Sequence, residues 1–351
     1  MEKKFVKRFF IQSISLLLLI AAVVILADPF YHYHAPAAGL KAVINKAEYQ
    51  CIGTIRNFKY DGLMLGSSMA ENYNNRWLDE AFGCTTIKGI KSAASTADLL
   101  YYLGEAYQNH ELRYVFYNLD LSALSAGPEH HFAGAGMPLY LYNNNILDDV
   151  NYLFNKDVLF ESIPYQIAVS LQQDYDEGTS YNWAQYKTFS KEDALLHYER
   201  PPVSDEAELG ADRQEAIDAN VSLLAQMAEA HPETEFYFFY PPYSLLWWDS
   251  EDRAGRLEEH FYAMGRTAEV LTAFENVHLY NFLAAEDIVC NLDLYMDSMH
   301  FSADINRWIV NQLNGSEYLL TEQNYEEELE RLGRLVEGWI EYDIPAYFPE
   351  N

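Results

Sequence analysis

Half of the 351 residues are hydrophobic and 15% are aromatic, so the chain can bury a large core and disorder is a poor description of it. A formal charge of −30 with no basic stripe argues against nucleic acid, whose phosphates would be repelled over most of the surface. Three scattered cysteines, Cys51, Cys84 and Cys290, are too few for a disulfide framework or a zinc site, leaving either one Cys51–Cys84 bridge or three buried free thiols.

The chain opens with Lys3, Lys4, Lys7 and Arg8, a basic tail over residues 1–8, followed by an uncharged run over 9–27. At about 1.5 Å per residue that run is roughly 28 Å long as a helix, close to the hydrocarbon thickness of a bilayer. Cations before it and Asp28 after it predict a single-pass anchor with the N-terminus cytoplasmic and the bulk of the chain outside the cell membrane. Cleavage as a signal peptide is the alternative, disfavoured by Ile25 three positions before a cut after Ala27. Residues 28–59, which include DPFYHYHAP, read as a stalk or strap.

From Asp61 the pattern becomes regular. GLMLG is a buried strand, a helix follows from about Arg76, and a strand near Thr85–Ile90, a helix over Thr96–Gln108 and a strand over Arg113–Leu119 continue the alternation. After a break come a helix over Asp212–Ala230, a strand over Glu235–Tyr240, a helix over Glu251–Phe274 and a strand over Val277–Asn281. This rhythm predicts an α/β domain over 60–320, a doubly wound, three-layer fold with about five parallel strands and ligand sites at their C-terminal ends. The break at 123–202, rich in Tyr and Asn, is read as a large insertion, its aromatics serving either as a lid over sugar rings or as packing on the sheet. Residues 321–351 form an amphipathic acidic helix and tail.

Two segments carry chemistry. Leu63–Tyr73, LMLGSSMAENY, sets Ser67 and Ser68 directly after the first strand, where a hydroxyl serves either as a nucleophile beside backbone N–H groups or as a helix cap. Leu294–Ile309, LYMDSMHFSADINRWI, spaces Asp297 and His300 three apart on a loop. That spacing lets the carboxylate accept the His300 Nδ1–H and leaves Nε2 free as a base; the alternative is a pair that only caps and solvates the loop. His32 with His34 and His130 with His131 lack the spacing that puts two imidazoles on one helix face, so neither a metal nor a cofactor is expected. YPPYSLLWWD, Tyr240–Asp249, follows a strand and either walls a pocket, with Tyr243 foremost, or packs in the core.

Taken together, the Gly-Ser-Ser after the first strand and the Asp-x-x-His before the last helix resemble the first and last blocks of the SGNH/GDSL hydrolase superfamily, and span about Tyr60–Asn314. The likeness is to membrane-anchored bacterial surface proteins of that type, related to D-alanyl transfer proteins of teichoic acid modification and alginate O-acetyltransferase-like proteins. The resemblance implies Ser68 as nucleophile, with Ser67 where plainer members have Asp. It also implies an oxyanion hole built from the Ser68 N–H and a second-block donor at Gly89 or at Ala93 and Ala94 in KGIKSAAS, while Asn118 in YNLDLS, followed by Asp120 and not preceded by the usual glycine, either donates to the oxyanion or points into a hydrogen-bonded core. The implied activity is a serine O-acyltransferase or esterase acting on a cell-surface glycan or envelope polymer, with a multi-spanning acyl-exporting protein as a partner. A non-catalytic SGNH-like module that binds envelope glycan or a membrane partner is the second reading; metal-dependent phosphoryl transfer is disfavoured by the missing ligand clusters.

Overall fold

Every residue of Gly62–Gly66 is buried, as expected of a short apolar run flanked on both edges by other strands. In the computed structural model, which describes residues 2–128, 132, 136–204 and 209–348, this run is β1 of a six-stranded sheet. The others are β2 (Thr86–Ile90), β3 (Tyr114–Asn118), β4 (Glu235–Tyr240), β5 (Val277–Asn281) and β6 (Leu319–Leu320). The order is β2-β1-β3-β4-β5-β6, with β1 to β5 parallel and β6 antiparallel to β5. The sheet thus has the expected parallel strands plus one two-residue edge strand, which caps the open side of β5.

Two compact units divide the chain: Met1–Lys59 with Gly134–Tyr181, and Tyr60–Ala133 with Asn182–Asn351. The sheet unit is mixed α/β, consistent with a three-layer arrangement. Leu65 lies between Gly89 and Tyr117, and Asn118 pairs with Phe239, so the C-terminal ends of β1, β2, β3 and β4 are level. Strand order reverses between β1 and β3, which opens a crevice at those ends. The helix expected over Glu251–Phe274 is two helices, Leu245–Arg253 and Leu257–Leu271, separated at Gly255, whose φ of 71° is a left-handed conformation that ends a helix.

The other unit begins with the helix Glu2–Ala27, long and apolar enough to cross a membrane and largely exposed along its length. Residues 28–59 are not a free stalk. The carboxylate of Asp28, 1% exposed, accepts the backbone N–H groups of His32, Tyr33 and His34 and the hydroxyl of Tyr152, so the strap closes onto the inserted segment directly after the helix. The inserted part of this unit is Gly134–Tyr181, which lies within the break at 123–202. Gly53 is required at the strap, because a Cβ would lie 2.3 Å from the carbonyl oxygen of Phe30. All three cysteines are free thiols. His130 and His131 lie outside the described residues.

Candidate active site

The turn after β1 is shaped by close packing. A Cβ on Gly66 would stand 2.6 Å from that of Ala70 and 2.9 Å from that of Asn118, so only glycine lets the chain fold back there into the single 3₁₀ turn Ser68–Ala70. Asn306, buried in the helix Ala303–Gln312, donates to the Met69 carbonyl at 3.2 Å and ties this turn to that helix.

The loop before that helix is a tight reversal. Tyr295 bridges Phe301, and the Met296 N–H donates to the His300 carbonyl. The Asp297 Oδ1 accepts the Met299 and His300 backbone N–H groups at 2.8 and 2.7 Å. Ser244, after β4, donates from both its N–H and its hydroxyl to the Ser298 carbonyl, and the Tyr295 hydroxyl donates to the Pro242 carbonyl. The loop is therefore fastened to the sheet rather than left to solvent.

These anchorages bring Ser68 Oγ to 2.9 Å from His300 Nε2, and His300 Nδ1 to 2.8 Å from Asp297 Oδ2. With Asp297 ionised, Nδ1 carries the proton and Nε2 is left to accept one from the serine. Burial opposes ionisation of Asp297, but the hydrogen bond and charge of His300 and the two backbone N–H groups outweigh it, holding the carboxyl below its usual range.

Ser68 and His300 share a cavity of about 580 Å³ with Ser92, Ala93, Asp120 and Tyr243. The turn from Lys91 to Ser95 is held by the buried Lys91–Asp98 ion pair at 3.0 Å and by the reciprocal Ser95–Asp98 cap of the next helix, and it leaves Ala93 at a φ of 50°. The N–H groups of Ser68 and Ala93 have no hydrogen-bond partner among the described residues, and both residues line the cavity. Such donors suit a developing oxyanion.

Gly89 and Asn118 are placed elsewhere. Gly89 sits inside β2, paired with Leu65, and does not line the cavity. Asn118 is fully buried, packs its Cβ against Gly66, and donates through Nδ2 to Asp120 Oδ1 at 3.3 Å. Of the alternatives expected in KGIKSAAS, Ala93 and Ala94 line the cavity and Gly89 does not, because β2 continues past Gly89 before turning.

Asp120, Ser67 and Tyr243 line the cavity wall. The Tyr243 hydroxyl donates to Asp120 Oδ1. Burial raises the Asp120 carboxyl above its usual range, against hydrogen bonds from Ser67, Tyr243 and Asn118 and the charge of His300. The same burial and the neighbouring Asp120 push the Tyr243 phenol well up. One neighbour had no distinguishing sequence signal: Trp183 meets the His300 ring edge-on, centroids 5.4 Å apart, held by Asn72 Oδ1 accepting the Trp183 and Ala184 N–H groups. Among the described residues no group of three or more His, Cys, Asp and Glu side chains could hold a metal ion.

No protein-family model matches the chain, and neither does any curated protein. It is similar to a solved structure from Streptococcus pneumonia whose description names a platelet activating factor, with 12% identity, a TM-score of 0.38, and coverage of 76% of this chain and 88% of that one.

Proposed function

We propose that this protein is an extracytoplasmic serine enzyme of acyl esters, held at the cell membrane by its N-terminal helix and acting on a surface polysaccharide or related envelope polymer. The observation that carries the reading is the hydrogen-bonded row from Asp297 through His300 to Ser68 at a cavity on the C-terminal edge of the sheet. In it, His300 Nε2 takes the Ser68 proton as Oγ attacks the acyl carbonyl, and the oxyanion is received by the N–H groups of Ser68 and Ala93. Collapse expels the alcohol, protonated by His300, and leaves acyl-Ser68. A second hydroxyl, from water or from a sugar, then gives its proton to His300 and takes the acyl group.

A cavity walled by Ser67, Ser92, Ser95, Ser122 and Asp120 offers hydrogen bonds to a polyol and no fixed positive charge, which favours a neutral, hydroxyl-rich acceptor over a phosphate. Tethering raises the effective concentration of the site against polymers made at the membrane, and a multi-spanning exporter of acyl groups is the partner such chemistry would use. The test is incubation of the full chain in detergent with an activated acetyl ester, followed by mass analysis of the Ser68 peptide. An acetyl adduct that disappears in Ser68→Ala is expected. No adduct in the wild type, with glycan binding indifferent to Ser68→Ala and His300→Ala, would replace the enzyme by a non-catalytic binding module.

A further inference from the structure

We propose that the inserted segment of the membrane-proximal unit rests in the interfacial layer of the same bilayer that the N-terminal helix crosses, so that the unit lies on the membrane as well as being tethered to it. This rests on reading that helix as an anchor. The helix formed by Val158–Ser162 and Ile163–Ser170 carries apolar residues on both sides, with Ser162 and Gln166 among the buried ones and Glu161 and Tyr165 among the exposed ones. Its protein-facing side buries Val158, Ile163 and Val169, while Phe160, Pro164, Ile167, Ala168 and Leu171 face outward, Phe160 at 73% and Leu171 at 79% exposed. A helix of a water-soluble surface should be polar on that outer side. Between 158 and 173 the single charge is Glu161.

A second outward group, Ile146 at 78% and Leu147 at 75% exposed, precedes the turn Val150–Leu153. Exposed apolar residues on this scale within one segment mark a contact surface. What covers it is indicated by where the segment is fastened. Tyr152 of that turn donates to Asp28 at 2.8 Å and accepts the Phe30 N–H at 3.2 Å, and the His34 ring meets the Ile25 carbonyl of the helix end at 2.7 Å. No spacer separates the turn Val150–Leu153 from the last turn of the anchor, so the segment is held where that helix ends. The charges along 146–174 are Asp148, Asp149, Asp157, Glu161 and Asp174 against Lys156, so burial of apolar area rather than attraction to anionic lipid would supply the contact.

The test uses the full chain reconstituted in phosphatidylcholine vesicles. Cys84 and Cys290 are replaced by Ser, buried Cys51 is left, and an environment-sensitive fluorophore is placed in turn at Leu147→Cys, Leu171→Cys, Ile14→Cys and Tyr342→Cys. Blue-shifted emission at 147 and 171 that is quenched by lipids labelled near the headgroup, with quenching by deep-labelled lipids at 14 and none at 342, is expected. Quenching at 14 with water-like emission at 147 and 171 would overturn the inference and leave the anchor standing. No quenching at 14 would remove the anchor and the inference together. Blue-shifted labels at 147 and 171 that ignore quencher lipids would mean that protein covers the surface, and equal quenching at 342 would deny the insertion a particular role; either result overturns it.

Discussion

Ser68 Oγ and His300 Nε2, 232 positions apart in the chain, lie 2.9 Å from one another, while Asp297 reaches the far side of the same imidazole at 2.8 Å. The first partnership is a product of sheet topology and the second of a three-residue loop, and they have different consequences when broken.

On the proposed acyl-enzyme route, Ser68→Ala and His300→Ala should each lower turnover of an activated ester by about 10⁴-fold or more, and the double variant should be little worse than either single one, as for groups that act as a unit. Asp297→Asn costs about 10²–10⁴-fold by losing control of the imidazole tautomer. Steady-state kinetics on the full chain, with thermal unfolding showing Tm values close to the wild type for Ser68→Ala, would check this. Undiminished turnover in Ser68→Ala would reject Ser68 as the nucleophile.

Ala93 separates backbone strain from catalysis. Its φ of 50° costs a non-glycine residue roughly 1 kcal/mol, so Ala93→Gly raises stability by up to about that amount and keeps activity, since the N–H remains. Replacing Ala93 by lactic acid, which turns the Ser92–Ala93 amide into an ester, removes the donor without fixing φ, and a fall of about 10²–10³ in kcat with a smaller change in KM is expected. Full activity in the ester variant would exclude Ala93 from the oxyanion hole.

The Tyr243 hydroxyl and Asp120 form a buried pair at the cavity wall. Tyr243→Phe leaves a buried carboxyl short of a donor and lowers stability by about 1–3 kcal/mol. Adding Asp120→Asn recovers part of that loss, because the amide needs less from its surroundings than a carboxylate. Denaturant midpoints for the two single variants and the double variant measure the coupling; strict additivity would contradict it.

Glu251 provides a pH signature remote from the cavity. Burial alone would raise its pKa, but hydrogen bonds and charge from His260 and Arg256, at 2.6 Å each, overcome that and hold it at about 2. A carboxyl depressed on folding adds stability that is fully present above its unfolded pKa of about 4.5 and is lost as pH falls toward 2, here about 3 kcal/mol. Chemical denaturation at pH 7 and pH 3 should show about 2 kcal/mol of this loss in the wild type, the rest lying below pH 3, and a smaller loss in Glu251→Gln, even though the variant is less stable at pH 7. An identical pH slope in both would refute the assignment.

Strand positions and the histidine loop were legible from the chain because they depend on near neighbours. The runs Glu235–Tyr240 and Val277–Asn281 are strands with those same bounds, since uninterrupted apolar and aromatic stretches flanked by polar residues have few other places to go. The Asp297–His300 contact likewise spans three residues, so local spacing was enough to anticipate it. The two-residue strand Leu319–Leu320 left no periodic trace, and the break at Gly255 looked like an ordinary helical glycine.

Composition and local pattern determined by themselves the apolar N-terminal helix, the parallel strands and the pairing of Asp297 with His300, because each of these is encoded within a few turns of chain. The three-dimensional fold settled which backbone N–H groups meet the cavity, that Asn118 turns inward to Asp120, that Trp183 stands against His300, and that residues 28–59 close onto the insertion. Those facts depend on contacts between segments tens to hundreds of residues apart, where steric limits such as the 2.6 Å approach at Gly66 select one arrangement and the sequence pattern carries no record of the distance.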